Sequence, residues 1–336
     1  MAGRVDVPSG GEAAESGGNG AAATRAGGQA LSVLATPLNF LVLRALTERP
    51  MRLAELRKAT GLPAQTTLRG HLASLGEIGL LAKRPTEKMP YAVENELTPM
   101  GREMLTVAER LEIWLAEAPD GPIALESGAA RGAVKALIDG WASTMMRALA
   151  SDPLSLTELD SLIADLSYPA LERRLSSMRI AGLVEPRPSH GAGTPYGVTE
   201  WARQGVAPLA AATHCERVYM GPRSAPVTPI DIEAAFLLAT PLASLPAGAA
   251  GLCQLEVEAG PGGLPQPAGV QVTVEAGKVA TCVSRLEPGP TAFVSGPAPA
   301  WFRAVKDGDA SQLRFGGGRG LPEDLVAGLH AAFIRR

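Results

Sequence analysis

Apolar residues recur at helical spacing in two stretches of the chain, and one fixed shift of 103 positions carries the first stretch onto the second. Leu53 and Leu56 fall on Leu156 and Leu159. Leu68, Leu72 and Leu75 fall on Leu171, Leu175 and Met178. The shift also aligns Arg44-Ala45-Leu46 with Arg147-Ala148-Leu149, Glu55 with Glu158, Gly79-Leu80 with Gly182-Leu183 and Arg84 with Arg187. Shared helix periodicity accounts for matching leucines, but not for a matching glycine exit and the arginine after it. The pattern therefore reads as an internal duplication.

Each copy predicts the same elements. A first helix spans Leu38–Arg49 or Trp141–Ala150, and a second, shorter one spans Leu53–Thr60 or Leu156–Ala164. In the first copy Thr60-Gly61-Leu62-Pro63 forms the turn, with Pro63 suited to a helix start. A third helix covers Ala64–Ile78 or Ser167–Ala181. Past the glycine the period shortens to that of strands, out through Leu80–Arg84 and back through Tyr91–Val93, or from Leu183-Val184 to Tyr196–Val198. Three helices and a β-hairpin are the plan of a winged helix-turn-helix.

The quoted residues also carry a family resemblance. Leu43 to Leu46, Leu53-Ala54-Glu55-Leu56, Gly79-Leu80, Arg84 and Leu97-Thr98-Pro99-Met100-Gly101 resemble the HxlR-type winged-helix transcriptional regulators. The second copy keeps Leu156-Thr157-Glu158-Leu159, Arg174-Leu175 and Val198-Thr199. The resemblance implies double-stranded DNA as partner. It departs from the family at the N-terminal Cys and first-helix Trp, which are absent, and at His71, where the family has Arg. Thiol-based redox sensing is therefore not expected.

Residues 1–30 are Gly, Ala and Ser without apolar periodicity and read as a disordered tail. Beyond Pro222, Pro226 and Pro229 the composition turns rich in Gly and Pro, and alternating runs predict strands at Leu255/Val257/Ala259, Val270/Val272/Val274 and Val279/Thr281/Val283. A helix over Ala298–Lys306, a strand over Gln312–Phe315 and a closing helix with Leu325, Leu329 and Phe333 follow. Residues 291–334 resemble the C-terminal half of sterol carrier protein type two-like domains, which implies an apolar ligand tunnel framed by Trp301, Phe302, Phe315 and Phe333. The expected fold is thus α+β: a tail over 1–30, one winged helix over 31–120, a second over 121–222 and an α/β sterol-carrier-like domain over 223–336. Trp114, Trp141, Met145, Met146 and Trp201 mark either a second apolar site or packing between the winged units.

Charge sharpens the comparison of the two copies. The net charge of −3 over 336 residues carries no sign of nucleic-acid binding. Between 44 and 92, however, nine basic residues face four acidic ones, whereas five face seven between 147 and 201. The first copy is the better phosphate binder. Its third helix presents Gln65, Thr66, Thr67 and Arg69 opposite the leucines, groups that hydrogen-bond base edges, and Lys83, Arg84 and Lys88 bracket the wing. The second copy offers Tyr168, Arg173, Arg174 and Arg187, with Glu172 in the place of Arg69.

Catalysis and metal binding find no motif. Histidines 71, 190, 214 and 330 are dispersed, no Cys-x-x-Cys or His-x-x-x-His occurs, and Gly316–Gly320 lacks a phosphate-loop lysine. No cofactor is expected. Cys215, Cys253 and Cys282 are too few for a disulfide framework and suit a reducing cytoplasm. No apolar run is long enough to span a bilayer, and the first residues lack the pattern of a secretory signal. These features predict a cytoplasmic regulator, by family analogy a repressor, that responds to a hydrophobic small molecule. It would be a monomer holding an internal pseudo-dimer, or a homodimer. The alternative is a hydrophobe-binding or sequestering protein whose winged helices are packing modules.

Overall fold

The computed structural model describes residues 25–85, 93–163, 166–188, 193–259, 268–286, 292–317 and 320–334, except for the side chains of 140–143. The first segment runs α1 (Gly28–Leu34), α2 (Pro37–Ala45), β1 (Met51–Arg52), α3 (Leu53–Ala59), α4 (Gln65–Ile78), β2 (Leu81–Pro85), β3 (Val93–Leu97) and α5 (Pro99–Ala116). The three strands form an antiparallel sheet in the order β1-β3-β2. Local chemistry sets each boundary. The Glu55 carboxylate accepts from the Arg52 amide at 2.8 Å and starts α3. Gly79, at φ 93°, stops α4 in the left-handed conformation that only glycine adopts without strain.

The Leu-Thr-Pro-Met-Gly motif acquires a physical meaning here. The Thr98 hydroxyl donates to Gly79 O at 2.6 Å and accepts from the Gly101 amide at 3.1 Å, so one side chain caps α5 and ties it to the end of α4. A Cβ on Gly101 would lie 2.3 Å from Leu80 O, so the close approach of α5 to that turn requires glycine.

The second segment runs α6 (Gly128–Ile138), α7 (Gly140–Ser151), α8 (Leu156–Leu162), α9 (Tyr168–Ile180), β4 (Val184–Pro186), β5 (Tyr196–Val198), α10 (Glu200–Gln204) and α11 (Val206–Tyr219). Its caps repeat those of the first segment. Glu158 accepts from the Ser155 amide at 2.7 Å, as Glu55 does from Arg52. Thr199 donates to Gly182 O at 2.8 Å and accepts from the Ala202 amide at 3.1 Å, as Thr98 does with Gly79 and Gly101. The correspondence extends upstream of the sequence expectation, because buried Ala30, Leu31 and Leu34 of α1 fall on buried Ala133, Val134 and Leu137 of α6. A bridge between Leu154 and Tyr196 stands where β1 pairs with β3. Helix α5 packs along α11, to which the same shift carries it.

The third segment consists of α12 (Pro229–Ala239), β6 (Gly251–Glu258), β7 (Ala268–Glu275), β8 (Lys278–Val283), β9 (Phe293–Pro297), α13 (Ala298–Asp307), β10 (Arg314–Gly316) and α14 (Leu321–Ile334). The sheet order is β10-β9-β6-β7-β8, with β6 and β9 parallel and the other pairs antiparallel. Trp301 is fully buried, meets Phe236 of α12 edge-on at 4.6 Å and donates its indole N–H to Glu256 O at 2.8 Å. This segment packs on the second through contacts of α12 with α7 and α10 and of α14 with α11.

Three sequence expectations change. Order begins by Arg25 rather than Leu31: Ala26 and Ala30 are buried, and α1 docks on α11. The remainder of the expected tail, 1–24, lies outside the described residues. Helices α1, α5, α6, α10, α11 and α12 and strand β9 lie outside the sequence expectation; α12 is apolar on nearly every side and β9 is too short to establish a period. Helix α2 ends at Ala45, not Arg49.

What orders the N-terminal segment is a buried carboxylate. Glu216 of α11 accepts from the amides of Gly27 and Ala30, each at 2.8 Å, and burial holds its carboxyl above the usual carboxylate range. Gly27, at φ 82°, leaves no room for a Cβ, which would lie 2.8 Å from Leu209 O. Replacing Glu216 with Gln leaves one acceptor where two are used. Glu216→Gln is expected to cost about 1–3 kcal/mol in thermal unfolding and to accelerate trypsin cleavage after Arg25, followed by mass spectrometry. Burial also pushes all three thiols, Cys215, Cys253 and Cys282, up to about 12. Ellman's reagent is accordingly expected to leave all three unmodified in the native chain and to titrate three in guanidinium.

Candidate nucleic-acid interface

Helix α4 buries Leu68, Leu72 and Leu75 and turns Gln65, Thr66, Thr67 and Arg69 to solvent. Its amphipathic spacing thus leaves a continuous face of amide, hydroxyl and guanidinium groups. The turn before it bends through Gly61 at φ 82° and Leu62 at φ 58°. His71 is only partly exposed, and its Nδ1 lies 2.7 Å from Asn39 Oδ1, while the Asn39 amide donates to Val33 O at 3.2 Å. That pair ties α4 to α2 and α1. The role of His71 is to hold the helix, which the sequence comparison alone did not reveal.

The wing supplies positive charge, with a compensation that the sequence boundary at 92 concealed. Lys83 and Arg84 are exposed on β2, but Glu94 and Glu96 return on β3. Glu96 approaches Arg84 at 3.9 Å and Glu94 approaches Arg52 at 3.8 Å. Including these two carboxylates lowers the net charge of the module from +5 to +3. Lys58, Arg69 and Lys83 have no ion pair among the described residues. Arg57 and Lys58 are exposed at the end of α3, where Arg57 Nε donates to Pro63 O at 2.9 Å beside the start of α4. In the sequence both residues register only as charge, and the signal for their placement is the Gly-Leu-Pro turn that follows them. Lys88 lies outside the described residues.

The second segment has the same frame and different side chains. Tyr168, Glu172 and Arg173 are exposed on α9. Arg174, at the position of His71, pairs with Asp139 at 2.8 Å and makes the corresponding tie between helices. Arg187 folds back over Gly197 and pairs with Glu185 at 2.9 Å. Of the four residues expected to contact DNA here, Arg174 and Arg187 are therefore engaged within the protein.

The aromatic candidates separate in the same way. Phe302 and Phe333 line a cleft beside α11, Trp301 is sealed in the core, and Phe315 is 37% exposed on the edge strand β10. Because β10 is the outermost strand, the structure does not bring Phe315 to the other three. Trp114 and Trp201 stack at 4.4 Å with rings 3° from parallel, and each indole donates to the other residue's carbonyl, at 2.8 and 2.6 Å. With Met145 and Met146 fully buried, this group packs the segments together. The Trp141 side chain is outside the described residues.

Among the described residues no group of three or more His, Cys, Asp or Glu could hold a metal ion, and no helix is long and apolar enough to cross a membrane. No curated protein matches the chain. Residues 33–120 match the family of the HxlR-like helix-turn-helix, and the match ends just past α5. The matched family is one of generally non-enzymatic regulators. The chain carries an HxlR-like helix-turn-helix domain at 33–120, a domain type that suggests a DNA-binding transcription regulator.

Proposed function

We propose that the protein is a ligand-responsive transcriptional repressor in which 31–120 and 121–222 are duplicated winged helices paired within one chain, and 223–336 is a sterol-carrier-like sensor of a hydrophobic molecule. The observation that carries the DNA reading is the exposed face Gln65, Thr66, Thr67 and Arg69 on α4, flanked by Lys58 and Lys83 without internal ion pairs among the described residues. Arg69 in a major groove recognises guanine, while Lys83 and Arg84 meet phosphate. The packing of α5 along α11, two helices related by the sequence shift, supports an internal pair that presents two recognition helices. Two half-sites about one helical turn apart are the matching operator. With Glu172 exposed and Arg174 and Arg187 engaged, the second copy contributes Tyr168 and Arg173 and binds more weakly.

The same asymmetry favours a second reading, a hydrophobe-binding protein whose winged helices serve as packing modules. Gel-shift titration on the DNA upstream of its own gene, at several salt concentrations, separates the two. For the repressor, Arg69→Ala with Lys83→Ala is expected to weaken binding and to reduce the salt slope by about 1, the share of Lys83 on phosphate, while the loss of Arg69 relaxes the preference for guanine. Unchanged affinity and slope in the double variant would sink the assignment of this face. Absence of any duplex binding at low salt would favour the packing-module reading.

A further inference from the structure

The cleft lined by Phe302 and Phe333 lies between segments rather than inside the third one. Leu209 and Ala210 of α11 form one wall, Ala235 and Leu238 of α12 the floor, and α13 and α14 supply Phe302 and Phe333. The remaining edge comes from Arg25 and Ala26, which precede α1. The closed part of the cleft is small, about 50 Å³, it opens to solvent, and its lining is overwhelmingly apolar.

One cation breaks the apolar lining. The Arg25 side chain is only 8% exposed, and its Nε lies 3.3 Å from Asp231 Oδ1. Asp231 is its ion-pair partner among the described residues. A guanidinium carries five donors in a planar fork, so a second carboxylate can join Asp231 on it. Burial and the nearby charge of Arg147 both disfavour the charged state of Arg25, a cost that a second anion would offset.

We propose that this cleft is the effector site, and that it takes a small apolar molecule ending in a carboxylate, with the apolar body between α11 and α12–α14 and the carboxylate on the Arg25 fork. The proposal rests on the effector-responsive reading above and gives it a place and a chemical class. The place explains how occupancy reaches DNA. An occupant pressing on Ala26 acts on Gly27, which is wedged against Leu209 and Thr213 and held by Glu216. Gly27 leads into α1, and α1 packs on α2 and α5 of the HxlR-like domain. Displacement of α1 is thereby passed to the segment that holds α4 through Asn39 and His71.

Calorimetric titration of the full chain with octanoate and with 1-octanol tests the site. Octanoate is expected to bind once per chain, with 1-octanol about tenfold weaker. Ala235→Phe, which fills the floor, is expected to abolish binding of both while thermal melting shows the chain still folded. Arg25→Gln keeps the apolar cleft, so it is expected to bring octanoate down to the affinity of 1-octanol and to leave 1-octanol unchanged. Saturating octanoate is expected to change duplex affinity about fivefold or more. Failure of the wild-type chain to bind octanoate at millimolar concentration, or unchanged binding by folded Ala235→Phe, overturns the proposal. Duplex binding without octanoate binding removes the cleft and leaves the DNA reading standing. Octanoate binding in a chain without duplex affinity does the reverse.

Discussion

Helix α11 is packed by helices from all three segments, and the architecture depends on how it accommodates them. Its residues Ala210, Ala212, Thr213 and Cys215 are buried and small, so neighbouring backbones approach closely from several directions. Helix α5 lies along one side, α1 along another, and α12 and α14 reach it from the third segment. Burying an ionisable group in such a place is costly unless it is fully hydrogen-bonded. Glu216 meets that condition by capping the N-terminal segment, so the carboxylate is satisfied only when α1 is docked. Folding of the first, second and third segments therefore converges on one helix.

The stacked indoles at the other end of this junction serve the same purpose. Trp114 and Trp201 bury both rings and satisfy both N–H groups within the pair, which removes the usual cost of sealing tryptophan away from water. The result is a stiff frame joining the HxlR-like domain to the second segment. Against that frame the exposed faces of α4 and α9 differ in charge and in freedom. The two segments share their capping hydrogen bonds and differ in the groups offered to solvent, because caps are constrained by geometry and surface residues are not.

Much of the fold was legible in the leucine spacing and in the Gly-Leu and Leu-Thr motifs. Those residues act locally: a leucine stripe defines a helix face, a glycine permits a left-handed stop, and a threonine caps the next helix. The polar face of α4 was legible for the same reason, since the residues opposite a buried stripe face outward. Lys88 and the Trp141 side chain fall outside the described residues, and nothing in the fold bears on them.

The sequence by itself determined the leucine-lined helix faces, the hairpin of the first segment and its basic bias. Only the tertiary structure decided that residues 25–30 belong to the core, that Arg174 and Arg187 are engaged, that Glu94 and Glu96 temper the wing, and that the aromatic cleft opens toward α11. Each of these depends on residues brought together from distant parts of the chain. Arg25 meets Asp231, and Glu216 meets Gly27, across roughly two hundred residues. No local period encodes such a meeting; it arises when segments bury a shared surface, and the polar groups left inside must then find one another.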